Sequence, residues 1–188
     1  MANLILNGST SGSVTLSSPA VSGTTTLTLP TTSGTVITTG STFAGTGPAF
    51  SAYRNGNQTS LSNNAFTKIQ VNAEIFDTAN CFDSTTNYRF TPNVAGYYQI
   101  NGCVDISGTN LSYAIPAIYK NGANIASGSF SAVAASEWQG VVSIVVYLNG
   151  STDYIELYAY SSVTVGSATA AGNSATQTYI SGFLARAA

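Results

Sequence analysis

From residue 49 onward, apolar and polar side chains alternate with a period of two along most of the chain. The pattern is clearest over 88–106, YRFTPNVAGYYQINGCVDI, which reads as a short strand, a turn bearing Pro and Gly, and a long strand. On the long strand Tyr98, Ile100, Val104 and Ile106 share one face, and Tyr97, Gln99, Asn101, Cys103 and Asp105 share the other. The first face suits the core of a sandwich. The second carries Tyr, Gln, Asn and Cys with little charge, which suits a surface covered by a second subunit. The stretch 139–148 sharpens this, because Val141, Ser143, Val145 and Tyr147 alternate with Val142, Ile144, Val146 and Leu148. A monomer rarely leaves such a strand exposed. One row is therefore expected against the core and the other against a neighbouring chain, with Tyr97, Gln99, Cys103, Val141, Val145 and Tyr147 as the interface.

Similar patterning predicts strands over 49–54, 67–73, 88–90, 96–106, 111–119, 123–129, 139–148, 154–160 and 178–185. Asn121-Gly122, between IPAIYK and ANIASG, is a strong hairpin signal. Asn149-Gly150 is another, in a loop lengthened by Ser151 and Thr152. No helix is predicted. Strands at this spacing argue for a β-sandwich or barrel.

Residues 1–40 have a different texture, rich in Ser, Thr and Gly, with no charged side chain and no aromatic. Ser11-Gly12, Ser22-Gly23 and Ser33-Gly34 recur every eleven positions, and Pro19 and Pro30 precede the second and third of these glycines by four residues. Each Pro-x-x-Ser-Gly reads as a turn, since Pro fixes φ and Gly supplies φ > 0. Short β-prone pieces lie between, at 14–16, 24–29 and 35–39. One such unit is too short to bury a core, so stability would come from stacking units or from wrapping three chains about an axis. The alternative is a flexible Ser/Thr linker. Residues 41–48, STFAGTGP, read as a hinge, and 49–188 as the main domain.

Composition narrows the function. Only 6% of the 188 residues are charged while 44% are hydrophobic, so the surface must be wetted by Ser, Thr, Asn and Gly. Such surfaces occur on extracellular fibres and virion appendages. The net charge is −2, and Arg54, Lys68, Arg89, Lys120 and Arg186 are scattered, which disfavours nucleic-acid binding. The longest apolar runs are far shorter than the ~20 residues of a membrane-spanning helix. The start, MANLILNGST, has neither a basic n-region nor a proper apolar h-region, so assembly in a cytoplasm is expected.

Histidine is absent, which removes Ser-His-Asp and Cys-His catalysis and His-ligated metals. The carboxylates are Glu74, Asp77, Asp83, Asp105, Glu137, Asp153 and Glu156. Asp77 and Asp83, flanking Cys81, are the nearest pair for a glycosidase or for calcium, and solvated loop carboxylates are the plainer reading. No catalytic, cofactor or metal residue is assigned. Cys81 and Cys103 read as buried free thiols or as a disulfide formed after release from a cell. Four Asn-x-Ser/Thr matches, at Asn7, Asn57, Asn110 and Asn149, are expected by chance at this composition. Trp138, the lone tryptophan, is the candidate ligand contact, able to stack on a sugar ring beside Glu137 or simply to pack in a loop.

Several segments carry a family resemblance. Phe90-Thr91-Pro92, Gly96, Tyr98 and Ile100 resemble the F-x-P-x-x-x-G-x-Y-x-F signature of C1q/TNF-like jelly-roll domains, with Ile100 in place of the usual Phe. Ala49-Phe50-Ser51-Ala52-Tyr53 looks like that family's opening strand. Leu148-Asn149-Gly150 with Asp153-Tyr154-Ile155-Glu156-Leu157 looks like its hairpin, with altered spacing before the Asp, and Ile180-Ser181-Gly182-Phe183-Leu184 like its closing strand. The resemblance spans roughly 48–188 and implies an all-β jelly roll and threefold association, with calcium in some members. The segment SVTLSSPAVSGTTTLTLPTTSGTVIT is similar to N-terminal segments of tailed-phage fibre and appendage proteins.

The expectation is therefore a non-enzymatic, homotrimeric virion appendage. The N-terminal segment would contact other virion proteins and the knob would decorate the particle or attach to a host, in some cases through a surface glycan. The alternative is a soluble carbohydrate-binding module unconnected with a virion. An ice-binding or spore-surface protein, suggested by the Thr-rich run at 24–28, and an enzyme are the minor readings.

Overall fold

The computed structural model describes residues 4–7, 9–17, 23–24, 26, 31, 47–129 and 135–188. The chain divides into two compact units, residues 1–40 and 41–188. Among the described residues there is no helix.

In the first unit β1 (Leu4–Asn7) and β2 (Ser13–Leu16) form an antiparallel hairpin in the register Leu4↔Leu16, Ile5↔Thr15, Leu6↔Val14 and Asn7↔Ser13. Gly12, at φ +77°, takes the left-handed turn conformation that its missing Cβ permits. The β-prone piece 14–16 lies within β2. The piece at 35–39, and most of that at 24–29 with its Thr-rich run, lie outside the described residues, as do 41–46 of the hinge.

The second unit holds β3 (Ala49–Tyr53), β4 (Gln58–Leu61), β5 (Ala65–Lys68), β6 (Ala73–Asp77), β7 (Phe82–Asp83), β8 (Arg89–Phe90), β9 (Ala95–Lys120), β10 (Ala123–Ser127), β11 (Ala135–Asn149), β12 (Ile155–Ala170) and β13 (Tyr179–Ala187). All the pairings between these strands are antiparallel. The first half of β9 lies between β13 and β11, giving a front layer ordered β6-β3-β13-β9-β11. Its second half pairs with β12 and β10, and β12 continues to β8 and β7, giving the back layer.

The two predicted strands 96–106 and 111–119 are thus one strand, passing between layers through 107–110, where Asn110 takes φ +50°. The predicted strand 67–73 is not formed as one piece. Its apolar residues Ile69 and Val71 are buried, but the Val71 amide donates to the Ile69 carbonyl, a tight turn that breaks the ladder between β5 and β6. The predicted hairpin stands: Asn121 (φ +52°) and Gly122 (φ +80°) both adopt the positive φ of a two-residue turn matched to strand twist.

The core lies between the layers. Tyr98, Ile100, Val104 and Ile106 are all fully buried, as the period-two reading expects. They meet Ile118, Ile155, Leu157 and Ala159 of the back layer. The layers approach closely at Gly102, where a Cβ would lie 2.7 Å from Leu157 Cδ1 and 3.2 Å from Ile118 Cδ1. At one end Phe50 stacks on Phe90 (4.2 Å between centroids) and Phe82 (5.1 Å), and Tyr98 meets Phe90 edge-on. The Tyr98 hydroxyl donates to the Val94 carbonyl at 2.7 Å, which satisfies the one polar atom of a buried ring. This places Phe90 and Tyr98 of the F-x-P…G-x-Y segment within the core.

Candidate interaction face

The outward side of the front layer is built by register. Tyr147 lies opposite Tyr97, Val145 opposite Gln99, Ser143 opposite Asn101 and Val141 opposite Cys103. Phe183 lies opposite Gln99 on the other side of β9, and Ser181 opposite Asn101. Residues opposite one another share a face. One continuous surface therefore carries Val145, Gln99 and Phe183 in one row and Ser143, Asn101 and Ser181 in the next.

Five large apolar side chains stand out of it: Val141 (59% exposed), Val145 (57%), Phe183 (50%), Tyr97 (47%) and Tyr147 (42%). Tyr97 and Tyr147 meet edge-on at 5.5 Å. Lys120 donates to the Tyr147 carbonyl at 2.8 Å, pairs with Asp153 at 2.9 Å and lies over the Tyr147 ring at 5.9 Å, so its charge is partnered where it meets the patch. Between the apolar groups runs a small polar network. Gln99 Nε2 donates to Ser143 Oγ at 2.8 Å, and Ser143 Oγ donates to Asn101 Oδ1 at 2.9 Å. These groups satisfy one another and can be covered at low desolvation cost.

Cys103 departs from its expected role. It lies on this side of β9 but is only 2% exposed within the single chain. The segment 171–178 folds over that end of the face. Gln139 Nε2 donates to the Thr176 and Gln177 carbonyls, and Thr178 Oγ1 accepts from the Asp105 amide. Cys103 is thus unavailable to a neighbouring chain. Burial pushes its thiol up to about 11. Cys81 is also buried and both cysteines are free, so no disulfide joins them.

Trp138 is likewise not a free stacking platform. It shares the inward parity of Gly140, Val142 and Leu148 and packs against the core. Its ring occupies the space over Gly140, where a Cβ would overlap the indole. Phe183 was not assigned to the interface from sequence, nor was the exposed Ile75-Phe76 pair on edge strand β6. Phe183 sits between Gly182 and Leu184, both buried, and that parity is its sequence signal.

The loop carboxylates serve the backbone. Asp77 accepts from the Ala79 and Phe82 amides. Asp83 accepts from the amides of Thr85, Thr86 and Asn87, and these bonds hold its carboxyl well below the ordinary range. Among the described residues no three His, Cys, Asp or Glu side chains converge as metal ligands, and no helix is long and apolar enough to cross a membrane. Elsewhere, where β9, β11 and β12 diverge, a cleft of about 550 Å³ is lined by Ser107, Thr109, Asn110, Ser136, Ser167 and Thr169, with no charged group.

No family model matches the chain, and no curated protein does. Solved structures do. The globular domain of zebrafish complement 1qA aligns over 75% of this chain and 99% of its own, at 16% identity and a TM-score of 0.53. Eiger TNF from S. frugiperda aligns over 76% and 95%, at 12% identity and 0.56. Murine APRIL aligns over 72% and 96%, at 9% identity and 0.51. Likeness at such identities is a likeness of fold: the chain carries the jelly-roll architecture of C1q and TNF domains.

Proposed function

We propose that the protein is a non-enzymatic structural component of a phage virion, a homotrimeric fibre or head or tail appendage whose jelly roll forms a knob. The observation that carries this reading is the front-layer face, where Tyr97, Val141, Val145, Tyr147 and Phe183 stand exposed around a self-satisfied polar network. A second copy of the chain is the partner that such a face fits, and the sequence resemblance implies three. The Ser/Thr/Gly-rich segment 1–40, similar to phage appendage N-termini, would join the knob to other virion proteins. The work of such a part is multivalent display. Several weak sites per knob, and many knobs per particle, give avid decoration or host attachment without a tight individual contact.

Sedimentation of the full chain without crosslinker tests this. A mass of three protomers supports it, and a monomer at micromolar concentration overturns it.

The uncharged cleft at the divergence of β9, β11 and β12 favours a second reading, a carbohydrate-binding module. Five hydroxyls and one amide there could exchange water for the hydroxyls of a neutral sugar. A saturable response to a panel of neutral oligosaccharides, abolished by Thr169→Val with Ser136→Ala, would establish it.

A further inference from the structure

The Asp105 carboxyl lies at the covered end of the front face, and neither reading above uses it. Asp105 is only 5% exposed, yet its Oδ1 has no hydrogen-bond donor. It is opposite Gln139 on β11, and Glu137 is opposite Ser107, so Asp105 and Glu137 form a diagonal cross-strand pair on one face. Glu137, itself exposed, acts on the Asp105 carboxyl by charge and hydrogen bonding, and the Gln177 side chain bonds the same carboxyl.

The groups around them can be named element by element. From β9 comes the Cys103 thiol, kept neutral by burial. From β11 come Glu137 itself and the neutral Gln139. From the 171–178 segment come the neutral Gln177 and Thr178, and from β13 comes Tyr179, which faces Cys103. The salt bridges among the described residues take Lys68 to Glu156 and Lys120 to Asp153, and Arg54 is engaged by the carbonyls of Gly56, Asn57 and Gln70. Among the described residues no salt bridge reaches this pair.

A carboxyl shut off from water beside a second carboxyl is favoured in its protonated form, in which its O–H can donate to the neighbouring oxygen. We propose that the buried Asp105 carboxyl keeps its proton and donates it towards Glu137, a bond that acts as a pH-operated latch between β9, β11 and the 171–178 segment. Several bonds converge there. The Asp105 amide donates to Thr178 Oγ1, the Ala171 amide donates to the Asp105 carbonyl, and Gln139 reaches the carbonyls of Thr176 and Gln177. With the proton present, the bond ties this end shut. Once it leaves, a buried Asp105 charge with no donor at Oδ1 faces the solvent-exposed Glu137 carboxylate, and this end of the sheet loosens.

The direction of the effect is unusual. Burial, then the neighbouring Glu137, raises the Asp105 carboxyl above its ordinary value. A raised folded-state value gives stability that is fully present below the unfolded value of about 4 and is lost as pH rises through the folded value. The latch is closed in acid and opens towards the alkaline side, opposite to an ordinary paired carboxylate.

Thermal melting of the full chain from about pH 4 to about pH 8 tests this on the wild type, Asp105→Asn and Glu137→Gln. It is run with hydrogen exchange at the Asp105 and Ala171 amides, expressed as protection factors. The wild type should lose several degrees relative to either variant as pH rises, with protection at the two amides falling over the same range. Either amide keeps one hydrogen bond without needing the carboxyl proton, so both variants should give flatter profiles. Parallel profiles for all three proteins would overturn the latch. So would a fall in wild-type melting temperature on adding EDTA at neutral pH, which would put a metal ion, not a proton, between the carboxyls. Should either variant fail to fold, infrared spectroscopy of the wild type in D₂O decides: a protonated-carboxyl band persisting above the ordinary carboxylate range is expected, and its absence overturns the proposal.

Discussion

The double variant Val141→Asp with Val145→Asp tests the proposed interface most directly. In the single chain these side chains keep 59% and 57% of their surface in water. Burying a whole valine is worth about 1.5–3 kcal/mol, so the part left for a partner to cover is worth about 0.9–1.7 kcal/mol per side chain. Two valines per protomer give about 2–3 kcal/mol, which is about thirty- to one-hundred-and-forty-fold in association per protomer at 1.4 kcal/mol per factor of ten. This is a lower bound, because each Asp also carries a charge that must be desolvated when the face is covered. The fold itself should hardly change, since neither side chain enters the core; exposed positions usually shift stability by no more than about 0.5 kcal/mol. Sedimentation velocity across a dilution series, with a thermal melt at the same concentrations, measures both quantities. Val165→Asp is the control, because Val165 is 64% exposed but pairs with Thr109 in the back layer, away from this face. The expected result is a shift of the double variant to the monomer mass at concentrations where wild type and control remain assembled. An unchanged mass for the double variant would refute the assignment of this face.

Three further outcomes follow from individual contacts. Lys68→Ala leaves Glu156, 6% exposed, without its cation and should destabilise the fold by about 3 kcal/mol; Glu156→Gln in the same chain should recover part of that loss, measured by denaturant melts. Gly140→Ala places a Cβ where the Trp138 ring sits, so the indole must move outward; tryptophan emission should shift to the red with only a modest loss of stability, and an unchanged spectrum would contradict the placement of the ring. The Cys103 thiol, raised to about 11 by burial, should react with a thiol reagent at neutral pH only through opening of the chain, so its rate in native protein should level off at the opening rate as reagent concentration rises.

The division between what could be read along the chain and what could not follows the range of the contacts involved. Alternation is a local property, and it located the core row Tyr98, Ile100, Val104 and Ile106 as well as the exposed row Val141, Val145 and Tyr147, because a pleated strand turns successive side chains to opposite sides whatever surrounds it. The same rule places Trp138 with Gly140 and Val142, so its inward orientation was legible. Reading it as a loop residue concealed that parity, because β11 begins three residues before it. Phe183 was open to the same argument. Cys103 was not. Its burial comes from the 171–178 segment, nearly seventy residues away in sequence, held down by Gln139, Thr178 and the Asp105 backbone. Period-two patterning says which side a residue faces, but not whether a distant segment lies over that side. The break between β5 and β6 shows the converse limit: Ile69 and Val71 are buried as a strand pattern expects, yet the backbone between them turns, because burial of alternate side chains does not require that their amides join a ladder. Asp105 belongs to the same class as Cys103. On sequence it is an outward carboxylate on a polar row. Only the segment folded over it, and the approach of Glu137 across the strand pair, turn it into a buried acid whose charge state the fold must control. The exposed apolar face and the carboxyl pair at its covered end were therefore separable only in three dimensions, although period two puts both on the same side of β9.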